Sequence, residues 1–118
     1  MIGVFCETYG NTTLNRFWEA LLTYQHSDFA VSDIAEDACI SRPKAYQLME
    51  EFENKDYVYK SRMVGKTQLY LLNRENRIVK IFLRNFKECL QMVVEEYQES
   101  SGSGSISAGI GFASAKNI

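Results

Sequence analysis

The chain has 118 residues, 46% of them apolar and 24% charged, with a formal net charge of −2 and one proline. That suits one domain with room for an appendage, and it is too apolar for global disorder. No apolar run reaches the length of a membrane span, and MIGVFCETYG lacks a basic region followed by an apolar stretch, so no signal peptide is expected and a cytoplasmic location is the default.

Asn11, Thr12 and Thr13 offer capping side chains, and Leu14, Phe17, Trp18, Leu21 and Leu22 follow at helical spacing. A first helix is therefore expected over about Thr13 to Tyr24. The polar run QHSD ends it, and Phe29 to Val31 reads as a short strand. Ser32 is the expected cap of a second, short helix, with Ile34, Ala35 and Ala38 turned inward. Cys39 and Ile40 make a turn. Ser41 caps a third helix that runs to about Lys55, with Pro43 in its first turn, where a missing N–H is harmless. Ala45, Leu48, Met49 and Phe52 form its inner face. No glycine ends this helix, so Asn54 or Asp56 must adopt the left-handed conformation found there.

Tyr57 to Val64 reads as a strand, with Lys60, Arg62 and Val64 on one face and Tyr59, Ser61 and Met63 on the other. Gly65-Lys66 supplies a two-residue turn, and Thr67 to Leu72 returns as a second strand. A last helix is expected over about Asn76 to Glu99, roughly 36 Å long. Its apolar stripe comprises Ile78, Val79, Phe82, Leu83, Phe86, Cys89, Leu90, Val93, Val94 and Tyr97. Three short helices can cover about half of that length, so the outer part needs a partner, and a second copy of the chain is the simplest one. Phe82, Phe86, Leu90, Val93, Val94 and Tyr97 are the expected seam. From Ser100 the sequence becomes SSGSGSISAGIGFASAKNI, which reads as a flexible tail with a weakly hydrophobic end, an engineered linker, or a segment that docks back on the body.

The net charge and a pI near 5.4 argue against nucleic acid, but the distribution argues for it. Met1 to Ile40 holds one basic and six acidic residues, whereas Lys60 to Lys80 holds six basic and one acidic. A local basic face can bind phosphates on an acidic chain. Arg42 and Lys44 add two cations at a helix start, where the helix dipole prefers anions. That placement points to a phosphate or base contact: Arg suits a bidentate grip on guanine, and Gln47 the same on adenine.

Cys6, Cys39 and Cys89 are odd in number and form no CxxC pair. Cys39 and Cys89 lie in apolar patterns and are expected to be buried small hydrophobes, with thiol or metal sensing as the alternative. His26 is read as a solvated loop residue, since no Cys/His cluster accompanies it. No metal or cofactor is expected. One histidine without a neighbouring nucleophile builds no triad, and neither a P-loop nor GxGxxG is present, so no enzyme is expected.

The pieces SDIAEDACISRPKAYQLMEEFENKDYVYK and RMVGKTQLYLLN resemble the DNA-binding half of the MarR/ArsR-type winged helix-turn-helix regulators, the small archaeal members in particular. With the first helix included, the resemblance covers roughly two thirds of the chain. It implies a mainly α fold with a small β-hairpin wing and a long C-terminal dimerisation helix. The organisation expected is a DNA-binding domain over 1–75, the dimerisation helix over 76–99 and a tail over 100–118. Ser41, Arg42, Lys44, Tyr46 and Gln47 fall where that family contacts the major groove. Arg62, Lys66 and Gln68 fall where its wings meet phosphate or the minor groove. Two features depart from the pattern: Glu50, Glu51 and Glu53 on the later turns of the helix, and a short wing without the acidic–basic tip. The function implied is that of a homodimeric transcriptional regulator that binds double-stranded DNA sequence-specifically. A protein–protein interaction module, or a DNA-binding protein of a replication or partition system, is the alternative.

Overall fold

The structure is a computed structural model that describes residues 3–102, with side chains through residue 97. The Ser/Gly-rich tail from residue 103 onward lies outside the described residues. Five helices and three strands follow in the order α1 (Val4–Tyr9), α2 (Thr13–Thr23), β1 (Phe29–Ala30), α3 (Val31–Ala38), α4 (Arg42–Asn54), β2 (Val58–Val64), β3 (Thr67–Leu72) and α5 (Arg77–Gly102). The strands form one antiparallel sheet in the order β1-β3-β2.

Local chemistry accounts for most of the boundaries. Thr12 caps α2 by accepting the Asn15 N–H at 3.0 Å, and Phe17, Trp18, Leu21 and Leu22 are buried along it. Asn76 caps α5 by accepting the N–H groups of Ile78 and Val79 at 2.8 and 3.2 Å. Asp56, with φ of 64°, is the left-handed residue after α4, and its carbonyl accepts the side-chain amides of Asn73 and Asn76. The expected cap of α3 is corrected. The helix starts at Val31 directly out of β1, so Ser32 falls inside the first turn, and Asp33 instead accepts the Ala30 N–H at 3.3 Å.

The core joins α2, α3 and α4 to the root of the wing and the first half of α5. Phe52 is central, with its ring 4.9 Å from Phe17, 4.8 Å from Trp18 and 5.2 Å from Tyr57. Offset and edge-on ring pairs of this kind add stability beyond their buried area. No helix was expected before residue 13, yet α1 forms and buries Phe5 and Cys6. Phe5 meets Phe82 and Phe86 at 6.2 and 6.4 Å between centroids, while Trp18 lies 4.0 Å from Phe82.

Within the single chain these contacts already occupy part of the expected seam. Phe86 is buried and Phe82 half-buried within the single chain, because α1 covers the stretch of α5 on which they lie. The stripe residues beyond Cys89 are different: Leu90, Val93, Val94 and Tyr97 are all exposed.

Candidate nucleic-acid interface

α4 presents the residues on which a nucleic-acid reading depends. Ser41 accepts the Lys44 N–H at 3.2 Å, capping the helix as its sequence implied. Ala45, Leu48, Met49 and Phe52 are buried. At about 100° of turn per residue, the centre of the opposite face falls on Pro43, Gln47, Glu50 and Asn54. Arg42 and Tyr46 flank that line on one side and Lys44 on the other, and all five candidate residues from Ser41 to Gln47 are exposed. Glu50 occupies the middle of the outward face and Glu51 is also exposed, so the surface favourable to an anion ends after two turns. Tyr46 and Glu53 look toward the wing. The Tyr70 phenol of β3 is raised above its ordinary pKa, first by burial and then by the fields of Glu53 and Tyr46.

The turn into α4 is fixed by a residue that the sequence reading did not single out. Arg16 of α2 donates from Nε to the Ala38 carbonyl at 2.8 Å and from Nη1 to the Asn11 side chain at 3.1 Å. A guanidinium at the C-terminus of α3 satisfies an orphan carbonyl and complements the helix dipole. Immediately after it Cys39 takes φ of 58°, closing α3 one residue before Ile40 and two before the cap Ser41. The available signal was that Arg16 is the only basic residue in the first forty.

The wing departs from simple alternation. Lys60 pairs with Tyr70 but Met63 pairs with Gln68, so two residues, Ser61 and Arg62, stand opposite Leu69 alone. This bulge, which adds a residue to one strand and re-aims its side chains, cancels the expected separation of Ser61 and Arg62 onto opposite faces. Both reach the same carboxylate: Ser61 Oγ donates to Asp28 Oδ2 at 3.0 Å and Arg62 Nε at 2.9 Å. The Arg62 guanidinium holds the Asp28 carboxyl below the usual carboxylate range, with the Ser61 hydroxyl assisting. Gln68 is tied down too, donating to the carbonyls of Arg62 and Leu69 at 3.2 and 2.8 Å. Of the three wing candidates, Lys66 alone has no protein partner among the described contacts. It sits exposed at the tip beside Gly65, whose φ of 63° is the positive value that a two-residue hairpin turn requires at its first position.

The remaining basic residues of the expected face are dispersed. Arg74 Nη1 lies 3.3 Å from His26 Nδ1. Lys80 lies 3.7 Å from Glu75. Cys39 is exposed, a correction to its expected burial, because the left-handed turn it forms points it away from the core. Cys89 is buried and contacts Thr8 Oγ1 at 3.6 Å. Burial pushes the Cys6 thiol up to about 11, with Glu19 reinforcing the shift, so that thiol is not a ready nucleophile. Among the described residues no cluster of three or more His, Cys, Asp and Glu side chains is arranged to hold a metal, and no helix is long and apolar enough to cross a membrane.

No family model matches the sequence, and no curated protein matches it. Solved structures do share the fold. The adhesin competence repressor of Streptococcus pyogenes superposes with a TM-score of 0.59 at 11% identity, over 94% of this chain and 77% of that one. MepR, a transcription regulator of a Staphylococcus aureus multidrug efflux pump, gives 0.52 at 21% identity, over 70% of this chain and 64% of its own. ZitR of Lactococcus lactis, a zinc-responsive MarR family member, gives 0.56 at 13% identity, over 86% and 66%. A ZitR variant in complex with DNA gives 0.54 at 15% identity, over 71% and 57%. The chain thus spans between roughly half and three quarters of the length of these proteins. Its helical body, three-stranded wing and long C-terminal helix are those of the MarR-type winged-helix fold.

Proposed function

We propose that this chain is a transcriptional regulator that binds double-stranded DNA as a homodimer, with α4 in the major groove and the wing tip on the flanking backbone. The observation that carries this reading is the exposed N-terminal third of α4. Arg42, Lys44, Tyr46 and Gln47 stand there together in a helix capped by Ser41, on a fold shared with a regulator solved in complex with DNA. Helix start, free N–H groups and cations make an end suited to phosphate and base edges. Arg42 and Gln47 carry the base preference, Lys44 and Ser41 the phosphate contacts, and Tyr46 packs against the sugar–phosphate edge on the wing side.

In the wing, Lys66 is the direct backbone contact. Gln68 holds the bulge in shape. Arg62 uses Nε for Asp28, which leaves its two terminal amino groups for a phosphate. In a two-fold dimer the two α4 helices enter successive major grooves about 34 Å apart on a pseudo-palindromic site.

Selection from a random duplex library at two salt concentrations tests the proposal, with an enriched palindrome as the expected result. Arg42→Ala should relax base preference and weaken specific binding by about 1–3 kcal/mol. Lys66→Ala should weaken all sequences alike and flatten the salt dependence by roughly one counterion. No retention of any duplex at low salt would sink the DNA reading. It would instead favour a protein-binding module, to which Glu50 at the centre of the outward face of α4 is suited.

A further inference from the structure

The tip of the wing carries apolar side chains where a hairpin end in water is ordinarily polar. Met63 and Val64 are 57% and 52% exposed, and they are the last two residues of β2 before the Gly65-Lys66 turn. Single exposed apolar side chains are ordinary on a protein surface, but the bulge gives these two a specific placement. Residues paired across two strands share a face. Through the pairs Lys60–Tyr70 and Met63–Gln68, Met63 shares a face with Lys60 and Tyr70, in place of the Tyr59 face that alternation implied. Val64, paired with Thr67, lies on the other face. The tip therefore carries an apolar side chain on each side and Lys66 at its apex, all three exposed.

The charge of the hairpin says what such a tip can meet. Val58 to Leu72 contains three basic residues and no acidic one, so a polyanion complements it. The base of the tip is braced from two sides. Gln68 donates to the carbonyls of Arg62 and Leu69, and Asp28 accepts from Ser61 and Arg62. A cationic hairpin with apolar flanks on a braced mount has the parts of a wedge, the device by which minor-groove proteins press apolar side chains against base steps.

We infer that Met63 and Val64 enter the minor groove beside the α4 site and force it open, while Lys66 holds a phosphate at its rim. This rests on the DNA-binding reading above and adds to it a deformation of the duplex. A hairpin with side chains on both faces is about 10 Å thick, whereas the minor groove of B-DNA is about 6 Å wide. Entry therefore requires groove widening and partial unstacking of a base step. Pyrimidine–purine steps such as TA yield most readily, whereas A-tracts, stiff and narrow-grooved, resist. The wing thus reads sequence through the deformability of base pairs to which Met63 and Val64 make no hydrogen bond.

Duplexes carrying the sequence enriched by the selection above, flanked on both sides by either TA steps or A-tracts, test the wedge with the full chain. An aminopurine placed in the flanking step reports unstacking by its fluorescence, and circular dichroism confirms the fold of each variant. Wild type should bind the TA-flanked duplex about ten-fold more tightly than the A-tract one, with a rise in fluorescence. Met63→Gln with Val64→Thr should bring the two affinities to within about two-fold and abolish the rise, whereas Met63→Leu alone should keep both effects. Lys66→Ala should weaken both duplexes alike and preserve their ratio. A wild type that binds both flanks equally without a fluorescence rise would overturn the wedge and leave the DNA reading standing. Retention of no duplex at low salt would overturn both, and flotation with phosphatidylserine vesicles would then make the tip a lipid-surface contact.

Discussion

Removing the guanidinium of Arg16 tests whether the turn into α4 is held from outside that turn. In Arg16→Ala the Ala38 carbonyl loses its 2.8 Å donor and the Asn11 side chain loses a 3.1 Å donor. The first bond is charge-assisted, part-buried and sits at a helix C-terminus. Bonds to charged groups contribute about 1.5–3 kcal/mol, and the dipole contact is part of that same interaction. Water reaching the vacated carbonyl recovers some of the loss, so about 1–2.5 kcal/mol is expected. For roughly 100 ordered residues each kcal/mol moves Tm by about 5 °C, which gives a fall of about 5–12 °C. The matched control is Arg42→Ala, which removes an exposed cation from the wrong end of a helix and should leave Tm within about 2 °C of wild type. Thermal unfolding followed at 222 nm measures both. Arg16→Lys cannot span both acceptors and should fall between wild type and Arg16→Ala. If Arg16→Ala melts within 1 °C of wild type, the bridge does not hold α3, and the claim that α2 fixes the approach to α4 is wrong.

Thiol titration of the native protein should count one fast cysteine, Cys39, and all three only after denaturation, since Cys6 and Cys89 are buried; fast modification of two or more would refute the packing of α1 on α5. The Cys6 thiol is raised in the folded chain, so its contribution is complete below about pH 9, the unfolded value, and is lost as pH rises toward about 11. Stability should therefore fall between those limits, and Cys6→Ala should flatten that decline in urea titrations at stepped pH. Asp28 is depressed by Arg62, so its tie to the wing is present above about pH 4 and lost as pH falls through the lower folded value. Asp28→Asn should raise hydrogen exchange in the wing and leave global stability nearly unchanged, because Arg62 is exposed and its ion pair is screened by solvent. Equal wing protection in the two proteins would remove the anchoring role.

The helices and the hairpin were legible because their signals are local. Thr12, Ser41 and Asn76 are good caps, Pro43 suits a first turn, and the apolar faces of α2, α4 and α5 recur at helical period. What was hidden depends on contacts distant in sequence. α1 is six residues long, too short to stand by propensity, and exists because Phe5 finds Phe82 and Phe86 across some eighty positions. Without α1 in view, those two phenylalanines read as an outer stripe, whereas within the single chain they pack on Phe5. The bulge at Ser61 and Arg62 follows from register with β3, and the Asp28 anchor comes from before β1; alternation alone reveals neither. At the candidate interface the exposure of Arg42, Lys44, Tyr46 and Gln47 was readable from helix periodicity, whereas the engagement of Arg62 and Gln68 within the protein was not.

The shared carboxylate of Asp28 also changes how the wing would meet a polyanion. Arg62 already carries a resident anion at 2.9 Å, so a phosphate drawn to it approaches a nearly neutral pair. Lys66 offers an uncompensated charge. The two cations are alike in formal count yet unequal in the field they project. On the proposed DNA reading, Asp28 would lower the attraction of Arg62 for any duplex while its contacts with Ser61 and Arg62 tie the wing to the chain before β1. The same reading would leave sequence choice to α4, where no acidic partner of Arg42 is found among the described contacts.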